Sequence, residues 1–262
     1  PARYWIEHAE IQRAPSLTVW RALNDRRKSD AQGIAVFAAA DVATAEADGG
    51  TRRESHKQTS QLPFARREAR ALGELFDREA RLYLGESASE SAFKGSTDAA
   101  IIHLAMHART DPIAAMDSHL LLAPGGGQEN GLLHAWEVFE QIELDADLVT
   151  LSACSTAARD KTGVLGLSWA FQAAGARNVV ATLWPVADHS TSLLMQHFYR
   201  GIKAGAAPTT ALRRAQLELL NGRAEKRRGL IHRLRSLFGD DNAAEGYRHP
   251  YYWAGFLISG AG

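Results

Sequence analysis

A chain of 262 residues, 45% of them hydrophobic, can bury one large core or at most two modest lobes sharing a sheet. Thirty Lys and Arg balance thirty Asp and Glu, so no global field gathers nucleic acid or an acidic membrane, and neither partner is expected. A single cysteine excludes an internal disulfide and a cysteine-rich zinc cluster, and no apolar run approaches the roughly 20 residues that span a bilayer.

The start, "PARYWIEHAE", is polar and aromatic, unlike an export signal, and with the lone thiol it points to a reducing, cytoplasmic setting. A first residue of Pro predicts a piece excised from or processed out of a longer chain. "ARYWIEHA" reads as a strand and residues 15–24 as a short helix. "GIAVFAAA" is a buried-strand run, followed by a polar loop over 41–61. Ala69, Leu72, Leu75 and Phe76 recur at helical spacing within 66–78, and "RLYLG" returns to a strand period.

"IIHLAMHART", at 101–110, is an extended run in which Ile101, His103, Ala105 and His107 share one face and Ile102, Leu104 and Met106 the other. "SHLLLAP" is a further short strand, "LLHAWEVFEQI" a helix, "DLVTLSA" a strand and "GVLGLSWAFQAAG" a helix with a glycine stop. "RNVVATLW" is a strand, "DHSTSLLMQHFYRGIKAG" a helix capped by Asp188 or Ser190, and "YYWAGFLIS" an apolar strand completing the sheet. Trp136 and Trp169 fall in helical patterns and are expected in the core. The alternation predicts an α/β fold, a mostly parallel sheet flanked by helices on both faces. Ligand sites in such sheets lie beyond the carboxyl ends of the strands.

His107 and Cys154 each close a predicted strand. Two neighbouring parallel strands about 5 Å apart would present both side chains at one rim, where the imidazole promotes the thiolate that acts as nucleophile. Each residue also has a plainer reading: Cys154 as a small buried hydrophobe, and either histidine as a packed side chain with one hydrogen bond.

The order of "HLAMHAR", "LLHAWEV", "ADLVTLSACSTA", "GVLGLSWAFQAAGARNVVATLWPVAD", "LLMQHFYRGI", "ALRRAQLELL" and "HPYYWAGFLISG" resembles the CHAT domain family. These are caspase-like and separase-like cysteine peptidases often attached to tetratricopeptide repeats. The resemblance covers nearly the whole chain, including "LPFARREARALGELF". It implies one caspase-like domain over 1–262, with an N-terminal portion at 1–61 and a variable insertion at 221–248. The histidine of the family's His-Cys dyad falls on His107 and its nucleophile on Cys154. A caspase spacing of about 50 residues from histidine to cysteine is met by His107, at 47, and by His103, at 51; the strand-end position favours His107.

The reaction implied is peptide hydrolysis. Cys154 attacks the carbonyl, the Ala108 and Cys154 amides hold the oxyanion, and His107 passes its proton to the leaving amine. It calls for a protein or peptide substrate and for no metal or organic cofactor. The family commonly has glycine after the histidine; Ala108 is harmless there if its φ is negative and strained if the position is left-handed. That substitution keeps a second reading open, a catalytically degenerate effector or protein-interaction domain on the same fold. An upstream tetratricopeptide-repeat or other regulatory domain is a further implied partner.

"LWPVADHSTS" looks like the separase block whose acidic residue receives the basic side chain before the cut. This assigns Asp188 to substrate binding, with arginine preferred over lysine; Asp111 and Asp117 are substitutes with less positional support. "APGGGQENG" lacks the Lys and Ser/Thr ending of a phosphate loop and reads as a flexible loop near the site. Leu230, Ile231, Leu234, Leu237 and Phe238 form one face of an amphipathic helix whose other faces carry Arg227, Arg228, Arg233 and Arg235, a packed surface helix or a protein-docking element.

Overall fold

Continuous apolar runs form the centre of the sheet, as strands buried on both faces must. The computed structural model describes residues 4–38, 63–111, 113–125, 129–152, 162–222 and 246–262. The strands are β1 (Gln12–Arg13), β2 (Gln32–Ala38), β3 (Ala80–Leu84), β4 (Ala99–Ala105), β5 (Ala108–Arg109), β6 (His119–Leu121), β7 (Leu132–His134), β8 (Leu148–Leu151), β9 (Asn178–Thr182) and β10 (Phe256–Gly260). Seven of them form a sheet in the order β1-β10-β9-β8-β4-β2-β3. Every pairing in it is parallel except β10 with β9. The expected α/β architecture, mostly parallel, is the one observed.

The helices are α1 (Leu17–Asp25), α2 (Pro63–Phe76), α3 (Glu90–Lys94), α4 (Ala135–Gln141), α5 (Thr162–Ala174), α6 (Asp188–Lys203) and α7 (Pro208–Leu220). Strand alternation divides the core in two. Ile34, Val36, Ala38 and Ala105 pack with Leu72, Phe76, Leu194, Phe198 and Leu212 from α2, α6 and α7. Ala35, Phe37, Ile102 and Leu104 pack with Phe93, Val138, Leu167 and Phe171 from α3, α4 and α5. Helices therefore cover both faces. Among the described residues no helix is long and apolar enough to cross a membrane.

Local chemistry accounts for the boundaries. Ser16 starts α1 by accepting from the Val19 N–H at 3.1 Å. Gly175 stops α5 at φ +133°, where a Cβ would collide with the Leu144 carbonyl.

Three expectations are corrected. "ARYWIEHA" contains a 3-10 turn, Trp5–Glu7, because only Ile6 is buried while Trp5 is 80% exposed, which leaves no face for a strand to bury. "SHLLLAP" is a strand as expected, β6, and it belongs to a separate antiparallel sheet, β5-β6-β7. The run at 132–142 opens with β7, and helix α4 starts only at Ala135, where the Glu137 carboxylate accepts from the His134 N–H at 2.9 Å. Trp136 and Trp169 lie in helices but are 37% and 42% exposed, so neither is a core residue. The predicted amphipathic helix and the loop over 41–61 fall outside the described residues.

Candidate active site

Strand β4 ends at Ala105, Met106 turns into the core, and His107 follows, half-buried with its Nδ1 enclosed by protein. Its backbone is fixed from one side: the Leu121 N–H of β6 donates to the His107 carbonyl at 2.9 Å. Residues 107 and 121 are therefore the hydrogen-bonded pair of the β5-β6 ladder, and Ala108 opposite Leu120 is the non-hydrogen-bonded one. The Ala108 N–H is turned away from β6, at the free edge of the small sheet. Among the described residues Asp77 is the non-glycine residue with positive φ; Ala108 is extended, with its methyl buried. Alanine in place of the family's glycine is thus unstrained.

The partner strand is β8. It pairs β4 in the register Ile101↔Leu148 through Leu104↔Leu151, a constant separation of 47 residues, and the Ser152 N–H continues the ladder to Leu104 O at 3.0 Å. The same 47 residues separate His107 from Cys154. Cys154 itself lies outside the described residues.

Asp188 is the first residue of α6, six residues beyond the end of β9. The cap position belongs to Ala187, so neither Asp188 nor Ser190 is the N-cap; the Ser190 hydroxyl donates to Ala187 O at 2.8 Å. Of the two substitute acids, Asp111 is committed to its own loop. Its carboxylate accepts from the Ala114 and Ile113 N–H groups, each at 2.8 Å, and these hold it below the usual carboxylate range. The "APGGGQENG" segment joins β6 to β7, tied by Leu122 N–H to Gly131 O at 2.8 Å; residues 126–128 of it lie outside the described ones.

His103 proves to be a fully buried core residue, with Tyr199 and Glu68 as polar neighbours. Glu68 was legible only as an acid on the otherwise apolar stripe Ala65, Ala69, Leu72 and Phe76 of α2. Sequence reasoning also missed the cross-strand pair His119 and His134, whose rings lie 4.8 Å apart. Both Nδ1 atoms meet the Asp117 carbonyl, at 3.0 and 3.2 Å. Burial lowers the pKa of His119; the Asp117 hydrogen bond opposes this, and the His134 and Arg109 charges add to it.

Comparison with known proteins gives the family. A stretch of 132 residues, half of this chain, is 28% identical to human Tetratricopeptide repeat protein 28 and spans 4% of that protein. The Arg-specific cysteine proteinase gingipain R superposes with a TM-score of 0.48 at 10% identity, over 93% of this chain and 51% of its own. A likeness of that degree carries no weight for activity or specificity. The family model described as CHAT domain matches residues 1–261, a span that takes in both sheets, the rim histidine and the lone cysteine. The chain belongs to the CHAT domain family.

Proposed function

We propose that the chain is a cysteine endopeptidase with His107 and Cys154 as its dyad. The observation that carries this reading is the β4-β8 register: the offset of 47 residues that pairs the two strands also relates the two residues, each just beyond its strand. Cys154 Sγ attacks the substrate carbonyl, and the oxyanion is held by the Cys154 amide and by the Ala108 N–H, which β6 does not consume. His107 delivers the proton to the leaving amine as the C–N bond breaks, and water then cleaves the thioester to free acid and thiol. The unstrained backbone at Ala108 weakens the case for a degenerate effector.

Asp188, at the start of α6, is assigned the basic side chain before the cut, arginine preferred because a carboxylate pairs it bidentately. An upstream tetratricopeptide-repeat region, in keeping with the name of the human relative, and a cytoplasmic setting complete the reading.

Digestion of a peptide library with mapped cut sites tests this. Cys154→Ala and His107→Ala should fall to background hydrolysis while retaining the native circular dichroism, and cuts should follow arginine over lysine. Asp188→Asn should lose that preference. Full turnover in folded Cys154→Ala would sink the peptidase assignment; cleavage after aspartate, or unchanged arginine selectivity in Asp188→Asn, would sink only the pocket.

A further inference from the structure

Beneath the rim runs a chain of buried polar side chains that the proposed chemistry does not use. Glu68 of α2, His103 of β4, Tyr199 of α6 and Thr150 of β8 are each no more than 3% exposed. The Tyr199 hydroxyl donates to Thr150 Oγ1 at 2.8 Å, so the contact at 2.9 Å between Tyr199 and His103 Nδ1 is donated by the imidazole. His103 Nε2 then faces Glu68 Oε1 at 2.8 Å, off the line of a hydrogen bond. Burial drives the Tyr199 pKa far above its usual range, so the phenol keeps its proton.

We infer that Glu68, His103, Tyr199 and Thr150 are positioning residues that set the relative height of His107 and Cys154, an inference that rests on the peptidase reading. Placement is the first ground. His103 and Thr150 are register partners on the two strands, and each stands four residues before the proposed catalytic residue of its strand, roughly 13 Å along an extended chain.

Specificity of register is the second. A slip of one residue between β4 and β8 would turn every side chain of one strand to the wrong face, and apolar packing alone forbids it. A slip of two residues preserves the faces, so burial opposes it weakly. It would displace the rims by roughly 6.6 Å, beyond the reach of any proton transfer. A side-chain link between particular partners rejects it directly, and the Tyr199 hydroxyl, bonded to both His103 and Thr150, is such a link. Apolar replacements would serve packing as well as buried polar groups do, so stability alone does not account for the chain. The third ground is reach. Tyr199 lies on the helix that begins at Asp188, eleven residues earlier, so the same joint fixes the start of α6 against the strands.

The test uses Tyr199→Phe, Thr150→Val and Glu68→Gln, which keep volume and remove the links. Each is followed by kcat and KM on a cleaved peptide and by the rate of Cys154 alkylation with iodoacetamide across pH, well below its Tm. The expected result is a fall in kcat of about tenfold to a hundredfold with KM nearly unchanged, and alkylation slowed at neutral pH with its midpoint raised. The double variant Tyr199→Phe/Thr150→Val should be no worse than Tyr199→Phe alone. A lowered Tm with kcat and the alkylation profile unmoved would overturn the proposal. Thr150→Val decides if Tyr199→Phe does not fold, and alkylation decides if no peptide is turned over. Wild-type alkylation indifferent to His107→Ala would overturn the dyad and this role with it. His107-dependent alkylation that the variants leave unchanged would overturn the joint alone.

Discussion

At Ala108 a single methyl group separates two accounts of the protein. Glycine is required only where the backbone is left-handed or another atom fills the place of the Cβ, and Ala108 meets neither condition: it is extended, and its methyl belongs to the core with Leu120 and Leu133. Reverting to glycine therefore removes packing and adds chain entropy without freeing a strained amide. Ala108→Gly should lose about 1 kcal/mol of stability in urea denaturation and change kcat by no more than a few-fold. A rise of about a hundredfold, the worth of one restored oxyanion donor, would mean that the natural residue impairs the site. Kinetics on one peptide at matched folded fraction separates the two.

The β6-β7 hairpin holds His107 by its backbone, and its own stability is tied to pH through His119. Burial places the His119 pKa below that of an exposed imidazole. As pH falls, the unfolded chain takes up the proton first. This contribution to stability is therefore complete above about pH 6.5 and is lost as pH falls from there through the lower folded value. The groups around the pair are Asp117, His134 and Arg109, and only the Asp117 contacts favour the charged ring. Thermal unfolding between pH 7 and pH 5 should show the wild type losing stability, with a flatter dependence in His119→Gln. Equal slopes would remove His119 as the cause. Legibility divides at this scale too. "GIAVFAAA", "DLVTLSA" and "RNVVATLW" declared their strands because both faces are buried. Leu132–His134 was hidden in a helical pattern, because three residues are too few to show a period and their strand exists only through β6.

Across the whole molecule, the two residues proposed as the dyad could be picked out in the sequence, and the buried polar chain around His103 could not. His107 and Cys154 stand out because each ends an apolar run. The partners of His103 lie elsewhere: Tyr199 is 96 residues away, and no local pattern joins them. The tail shows the same dependence on distant partners in a form that sequence does signal. Its aromatic stretch reads either as a strand or as a recognition surface; Pro250–Tyr252 form a 3-10 turn with Trp253 buried behind it, and β10, starting only at Phe256, fills the slot between β9 and β1 with Phe256 and Ile258 buried. Gln216 of α7 locks it there, its amide donating to the Trp253 and Phe256 carbonyls at 2.9 and 3.0 Å. A strand held this way acts on stability and leaves the proposed chemistry alone. Ile258→Ala should destabilise by about 2–5 kcal/mol while kcat per folded molecule stays unchanged. Tyr251→Ala, at a residue 45% exposed, should forfeit one hydrogen bond to the Pro185 carbonyl, about 1 kcal/mol. Urea denaturation at constant m-value, with KM measured on the same samples, separates the two readings. A near-neutral Ile258→Ala, or a KM that rises sharply in Tyr251→Ala, would make the tail a recognition surface after all.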